Sequence, residues 1–112
     1  IYPGNLLKEV KNNNMVIHCC FHSDELVGVL AVRNLNHITL LFVKKNYHKK
    51  SIAKSLLKMY IQEIKKQNPE INELKVNSSP YAVNIYKKMG FNSTDEMQER
   101  DGIVFMPMQK TI

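Results

Sequence analysis

Two strand-length apolar segments, 26–32 and 37–43, flank the turn Asn34-Leu35-Asn36, and the second runs through a lysine-rich turn directly into a helical pattern. A run as apolar as 26–32 is that of a strand covered on both faces. A β-rich segment, 15–21, precedes it across Ser23-Asp24-Glu25, so the three segments predict an antiparallel meander. After the basic turn, Ala53, Leu56, Leu57, Tyr60 and Ile64 recur at steps of three and four, the stripe of an amphipathic helix over 51–67. Asn68-Pro69 stops it. A strand over 71–76 follows. Ser79-Pro80 then supplies an N-cap and a proline at the first helical position, and Gly90 is a natural end for a helix over 80–89. Asp101-Gly102 is a hairpin turn joining 94–100 to 103–108. Pro107 places the last strand at an edge or on a bulge. Ahead of the meander, after Pro3-Gly4, a short helix is expected over 5–11. The order predicts an α+β chain with a mixed, mostly antiparallel sheet. A crossover helix joins two neighbouring central strands, which therefore run parallel.

The 112 residues suffice for a single domain spanning 1–112. The apolar run 26–43 is interrupted by Arg33, Asn34, Asn36 and His37, so it does not read as a membrane span. Cys19 and Cys20 are adjacent and point to opposite faces of a strand, which excludes a bond between them. Nothing in the sequence has metal-ligand spacing. Two free thiols and no visible signal peptide fit a reducing, cytoplasmic setting. The net charge of +6 calls for an anionic partner. The excess is local: Lys44, Lys45, Lys49, Lys50, Lys54, Lys58, Lys65 and Lys66 face one acid, Glu63, between positions 44 and 66.

A buried strand entering a basic turn and then a helix is a physical anion site. Backbone N–H groups of the first helical turn have no intrahelical acceptor, and the helix dipole adds positive potential. On the pattern alone, a phosphate site and a solvated basic helix face fit equally well.

Two motifs carry a resemblance that favours the first. His48-Lys49-Lys50-Ser51-Ile52-Ala53 resembles the pyrophosphate-binding motif of the GNAT superfamily of N-acetyltransferases, Gln/Arg-x-x-Gly-x-Gly/Ala, with Ala53 matching and His48 and Ser51 departing. The stretch from Val76 to Phe91, ending Tyr86-Lys87-Lys88-Met89-Gly90-Phe91, resembles that superfamily's strand, helix and Tyr-x-x-x-Gly-Phe more closely. The likeness runs from about Met15 to Met108 and implies an acetyl-CoA-dependent N-acetyltransferase. It implies that the backbone of Leu41, Phe42 and Val43 pairs with the pantetheine arm and that amides of Lys49 through Lys54 cradle the pyrophosphate. It places Asn77 beside the cofactor, where two parallel strands splay apart. Tyr86 becomes the general acid that protonates the departing thiolate. Read without the family, Tyr86 is a core residue sharing a face with Ala82 and Met89, and Asn77 a strand-end turn former.

His48 adds charge near phosphates if protonated. A serine at position 51 implies either a looser approach to phosphate than glycine gives or a negative φ, and its hydroxyl can cap the helix or donate to a phosphate.

A lysine-like amine has a pKa near ~10.4 and must lose a proton before attack. His37, opening the strand beside the cofactor, is the first candidate base, with His18, His22 and Glu25 behind it. For each of these a turn or strand-surface role is the simpler reading. The cysteines read as small core residues. The opening strand and helices that wall the acceptor pocket in the family are mostly absent. Either the chain is trimmed, or a partner subunit, such as a second copy in a homodimer, completes the pocket. The acceptor class is a small-molecule or peptide amine. A non-catalytic acyl-CoA-binding module is the alternative. A nucleic-acid surface is disfavoured, because the basic stretch lacks interleaved exposed aromatics and fits no such motif.

Overall fold

The computed structural model describes residues 5–12 and 14–112, with backbone alone at 5–12 and 48–50. The chain divides into two compact units, Ile1–Ile71 and Asn72–Ile112.

The first unit is an antiparallel meander of four strands, β1 (Asn5–Asn12), β2 (Met15–His22), β3 (Glu25–Arg33) and β4 (His37–Val43), followed by a 3-10 helix, Lys45–Lys50, and by α1 (Ile52–Gln67). The segment expected as a short helix over 5–11 is strand β1. It pairs with β2 along its whole length, from Asn5 opposite His22 to Asn12 opposite Met15. Seven residues are too few to hold a helix against the cost of nucleation, and a ladder against β2 satisfies the same backbone groups. The expected meander of β2, β3 and β4 is present, with two register shifts. Between Cys20 and Phe21 the pairing skips Val27, and between Ala31 and Val32 it skips Thr39. The Thr39 hydroxyl donates to the Ala31 carbonyl at 3.3 Å, which ties down the extra residue.

Helix α1 buries Ile52, Leu56, Leu57, Tyr60 and Ile64. The buried stripe opens one residue earlier than expected, on Ile52, with Ala53 half-buried. It packs where β3 has no side chain: a Cβ on Gly28 would lie 2.9 Å from the Ile52 Cγ2 methyl and 3.2 Å from Leu56 Cδ1. The Tyr60 hydroxyl, from the same face, donates to the Leu35 carbonyl at 2.6 Å, fastening α1 to the β3–β4 turn. His18, only 3% exposed, meets the Tyr60 ring edge-on at 5.8 Å and reaches Glu63 at 3.6 Å.

The second unit holds β5 (Glu73–Ser78), a 3-10 turn (Pro80–Ala82), α2 (Val83–Lys88), β6 (Asn92–Ser93), β7 (Gln98–Arg100) and β8 (Ile103–Thr111). Strand β5 starts and ends two residues later than the expected 71–76, and the expected helix over 80–89 is a 3-10 turn leading into a short α2. Pro80 opens the turn, but the Ser79 side chain makes no cap; its carbonyl accepts from the Ala82 amide at 3.1 Å instead. Gly90 ends α2 at φ +96°. Its amide reaches the Lys87 carbonyl and the Phe91 amide reaches the Tyr86 carbonyl, both at 3.0 Å. This is the paired pattern of a left-handed helix end.

The Asp101-Gly102 turn joins β7 to β8, with φ +53° and +81° and Arg100 paired to Ile103. Strand β8 is not an edge within this unit, because β5 lies on one side and β6 and β7 on the other. The Pro107 carbonyl accepts from Thr94, so its missing N–H faces the same side, where pairing is interrupted between β6 and β7. The break absorbs the proline that an edge would otherwise accommodate. Among the described residues no helix is long and apolar enough to cross a membrane, and no cluster of three potential metal ligands occurs.

Candidate functional site

The lysine-rich turn is built by β4 and α1. The Lys44 amide donates to the Val27 carbonyl at 2.8 Å, prolonging the β3–β4 ladder by one residue. In an antiparallel ladder, hydrogen-bonded pairs alternate along the strand. Lys44 facing β3 therefore puts Phe42 toward β3 as well, and Leu41 and Val43 away from it. That takes the Phe42 backbone out of the set expected to meet the pantetheine arm. Leu41 and Val43 keep the orientation such a contact needs. The Phe42 side chain is half exposed.

The 3-10 helix Lys45–Lys50 then ends on Ser51 at φ 59°, ψ 27°. Ser51 is both the end of that helix and the N-cap of α1, and its side chain makes no cap hydrogen bond. The i→i−3 bonds of the 3-10 helix through Lys50 occupy the amides of Lys50 and Ser51, so the Ile52 amide is the first one beyond the left-handed turn. The amides of Ala53 and Lys54 follow in the first turn of α1, where intrahelical acceptors are lacking. The first turn of α1 carries no acidic residue. Ile52 is buried and offers only its amide, Ala53 is half-buried and Lys54 exposed. The side chains of His48, Lys49 and Lys50 lie outside the described residues.

The sequence left two options at position 51, a looser approach or a negative φ. The structure excludes the second: φ is positive, in the region where glycine is the default and other residues are strained. The cap expected of the Ser51 hydroxyl is not formed.

His37 is the first residue of β4, opposite Arg33 and half-buried. It lies at the other end of the strand from Val43, roughly 20 Å at the usual rise per strand residue. His18 is packed against α1, as described above. His22 stacks obliquely on Tyr47, with ring centroids 5.9 Å apart. Glu25 accepts from Lys44 Nζ and, at 3.4 Å, from the Tyr47 hydroxyl. These contacts hold its carboxyl below the usual range, the Lys44 hydrogen bond being the largest cause. The sequence offered Glu25 only as a weak candidate base. Its tie to Lys44 joins positions 19 residues apart, which no local pattern signals.

In the second unit, Asn77 is the penultimate residue of β5. It is exposed on the face opposite Leu74, Val76 and Ser78 and sits across from Pro107. Tyr86 lies on α2, 7% exposed, with its ring edge-on to Phe91 at 5.3 Å. Burial pushes its hydroxyl up to about 12. The side chain is at once a core residue and a phenol that keeps its proton.

No curated protein matches this sequence. Solved structures do. A GCN5-related N-acetyltransferase of Rhodopseudomonas palustris is similar with TM-score 0.75 and 17% identity, over 88% of this chain and 62% of that one. ElaA of Escherichia coli gives TM-score 0.71 and 17% identity, over 88% and 70%. The PaiA N-acetyltransferase of Thermoplasma acidophilum, solved with coenzyme A, gives 0.71 and 23% identity, over 88% and 62%. The chain thus spans less than two thirds of the first and third. At such identities the likeness is one of fold, the α+β acyltransferase fold expected from the two motifs. The sequence also matches the acetyltransferase (GNAT) domain along residues 1–112, its whole length, and the chain therefore belongs to the GNAT family.

Proposed function

We propose that this chain is a single-domain, acetyl-CoA-dependent N-acetyltransferase that acetylates a primary amine. The observation that carries this reading is the left-handed Ser51 between a 3-10 helix and α1. That turn leads into the first turn of α1, where the amides of Ile52, Ala53 and Lys54 lack intrahelical acceptors, and a diphosphate is a ligand such amides suit. The neighbour solved with coenzyme A and the family's name support the same ligand class.

In this reading the amides of Lys49 through Lys54 hold the phosphates, those of Ile52, Ala53 and Lys54 from the open first turn of α1. His48 and the lysines add charge. Leu41 and Val43 offer backbone groups to the pantetheine arm, and the family resemblance assigns Asn77 to the same cofactor. The bound donor supplies the activated thioester carbonyl that the amine attacks. Tyr86 holds a proton at its hydroxyl and delivers a hydrogen bond to the sulfur as negative charge builds there. A phenol pushed to about 12 is never ionised at neutral pH, so the donor form is always available. His37 is the proposed base for the amine. The acceptor is a small-molecule or peptide amine, the setting cytoplasmic, and a second copy of the chain the proposed partner. A membrane or nucleic acid is not part of this reading.

Titration calorimetry with acetyl-CoA, followed by thiol release across an amine panel, tests it. Saturable binding and amine-dependent thiol release are expected. A folded protein that fails to bind at millimolar donor would sink the assignment.

A further inference from the structure

The 3-10 helix that delivers Ser51 is held from outside by one carboxylate. Glu25 is the first residue of β3, just after a two-residue turn in which Ser23 and Asp24 both have positive φ, +49° and +67°. Such a turn matches the twist of its strands and fixes the residues that flank it. From that position one Glu25 oxygen accepts from Lys44 Nζ and the other from the Tyr47 hydroxyl at 3.4 Å. Lys44 directly precedes the 3-10 helix and Tyr47 lies inside it. Lys44 is held a second time through its backbone, by the Val27 carbonyl at 2.8 Å, and the Tyr47 amide folds back on the Lys44 carbonyl at 2.8 Å. Tyr47 also leans on the His22 ring, on the other side of the same turn.

We propose that Glu25 is a positioning residue of the phosphate loop, clamping Lys44 and Tyr47 to the β2–β3 turn and so fixing the path of the chain through Ser51 into the amides of Ile52, Ala53 and Lys54. This rests on the phosphate-site reading above. Glu25 touches neither donor nor acceptor in this role and acts only through the loop. The Lys44 hydrogen bond, the largest cause, holds the Glu25 carboxyl below the usual carboxylate range, so the clamp is charged at neutral pH.

Charge and position predict opposite signs, which makes the role testable. Removing a negative charge near an anion site tightens anion binding, most at low salt. Releasing the loop weakens it. The dissociation constant of acetyl-CoA is to be measured for wild type and Glu25→Gln at low and moderate salt, and for the same substitution in a Lys44→Met, Tyr47→Phe background. Glu25→Gln is expected to raise the constant about threefold at both salts, in keeping with the worth of an exposed ion pair, and in the double-mutant background to leave it unchanged or lower it. An unchanged or lower constant in the otherwise native chain overturns the role, as does an equal rise in the background lacking both partners. A wild type that binds no acetyl-CoA overturns the phosphate site itself. A wild type that binds, with Glu25→Gln indifferent, overturns only the clamp.

Discussion

Ser51 occupies a backbone conformation that costs a side-chain-bearing residue about 1–2 kcal/mol relative to glycine, and it has no side-chain cap to offset that cost. Ser51→Gly therefore relieves strain without losing a cap. Glycine's extra freedom in the unfolded chain returns part of the gain, so a net stabilisation of about 0.5–1 kcal/mol is expected in denaturant unfolding. Acetyl-CoA should bind at least as tightly, since the amides keep their geometry and the approach opens. Ser51→Ala keeps the strain and should be neutral or destabilising. Weaker binding in both variants would mean that the hydroxyl itself holds a phosphate oxygen.

Tyr86 makes two separable predictions at the same scale. Tyr86→Phe should lower kcat by about 100-fold or more if the phenol is the acid, while leaving the ring's packing on Phe91 in place. Full turnover in that variant would remove Tyr86 from the mechanism. The second prediction concerns pH. The folded pKa is raised to about 12 by burial, above the unfolded value near ~10. Between these values the folded chain holds a proton that the unfolded chain has released, so stability is complete below about pH 10 and falls as pH rises toward 12. The loss is on the order of 2–3 kcal/mol, from two units at about 1.4 kcal/mol each. Thermal melts of wild type should weaken across that window, and those of Tyr86→Phe should weaken less. Parallel curves would show that the phenol is not desolvated.

At the scale of elements, Gly28 couples the meander to α1. The Cγ2 methyl of Ile52 stands 2.9 Å from where an alanine Cβ would be, and it belongs to a β-branched side chain with little rotamer freedom. Gly28→Ala must therefore displace the first turn of α1. The cost should be about 1–3 kcal/mol of stability, accompanied by weaker acetyl-CoA binding, because that turn supplies the amides of Ile52, Ala53 and Lys54. Lost stability with unchanged binding would place the phosphates away from α1.

The elements that could be read in the sequence are those whose information is local. The apolar runs of β3 and β4, the stripe of α1, Gly90 and Asp101-Gly102 each declare their structure within a few residues. Segment 5–11 reads locally as a short helix, whereas the conformation of β1 is decided by a ladder to residues 15–22. The same limit hid the parts that shape the candidate site. A left-handed serine has no sequence signature, and only the family's glycine at that position hinted at it. Gly28, isolated in an apolar strand, was a readable sign of close approach. The Glu25 clamp depends on register between β3 and the chain after β4, which only the fold reveals.

For the molecule as a whole, a net charge of +6 attracts any polyanion, so binding of a charged donor does not by itself identify a shaped site. Salt separates the two. Contacts made only by lysines release counterions and fall steeply with ionic strength; a basic surface making several phosphate contacts to duplex DNA loses about 10³-fold or more between roughly 50 and 200 mM salt. Backbone amides at the start of α1 carry no net charge, so the part of the affinity they supply depends on geometry. Acetyl-CoA binding should therefore weaken by less than about tenfold over that range, since the lysine contribution is screened and the amide contribution is not. Duplex DNA binding, if measurable at low salt, should vanish. Parallel titrations of acetyl-CoA and a short duplex at both salts decide the matter. Equal salt sensitivity would reduce the loop to a diffuse basic surface, and a DNA affinity that survives moderate salt would favour a nucleic-acid partner over a nucleotide-bearing thioester.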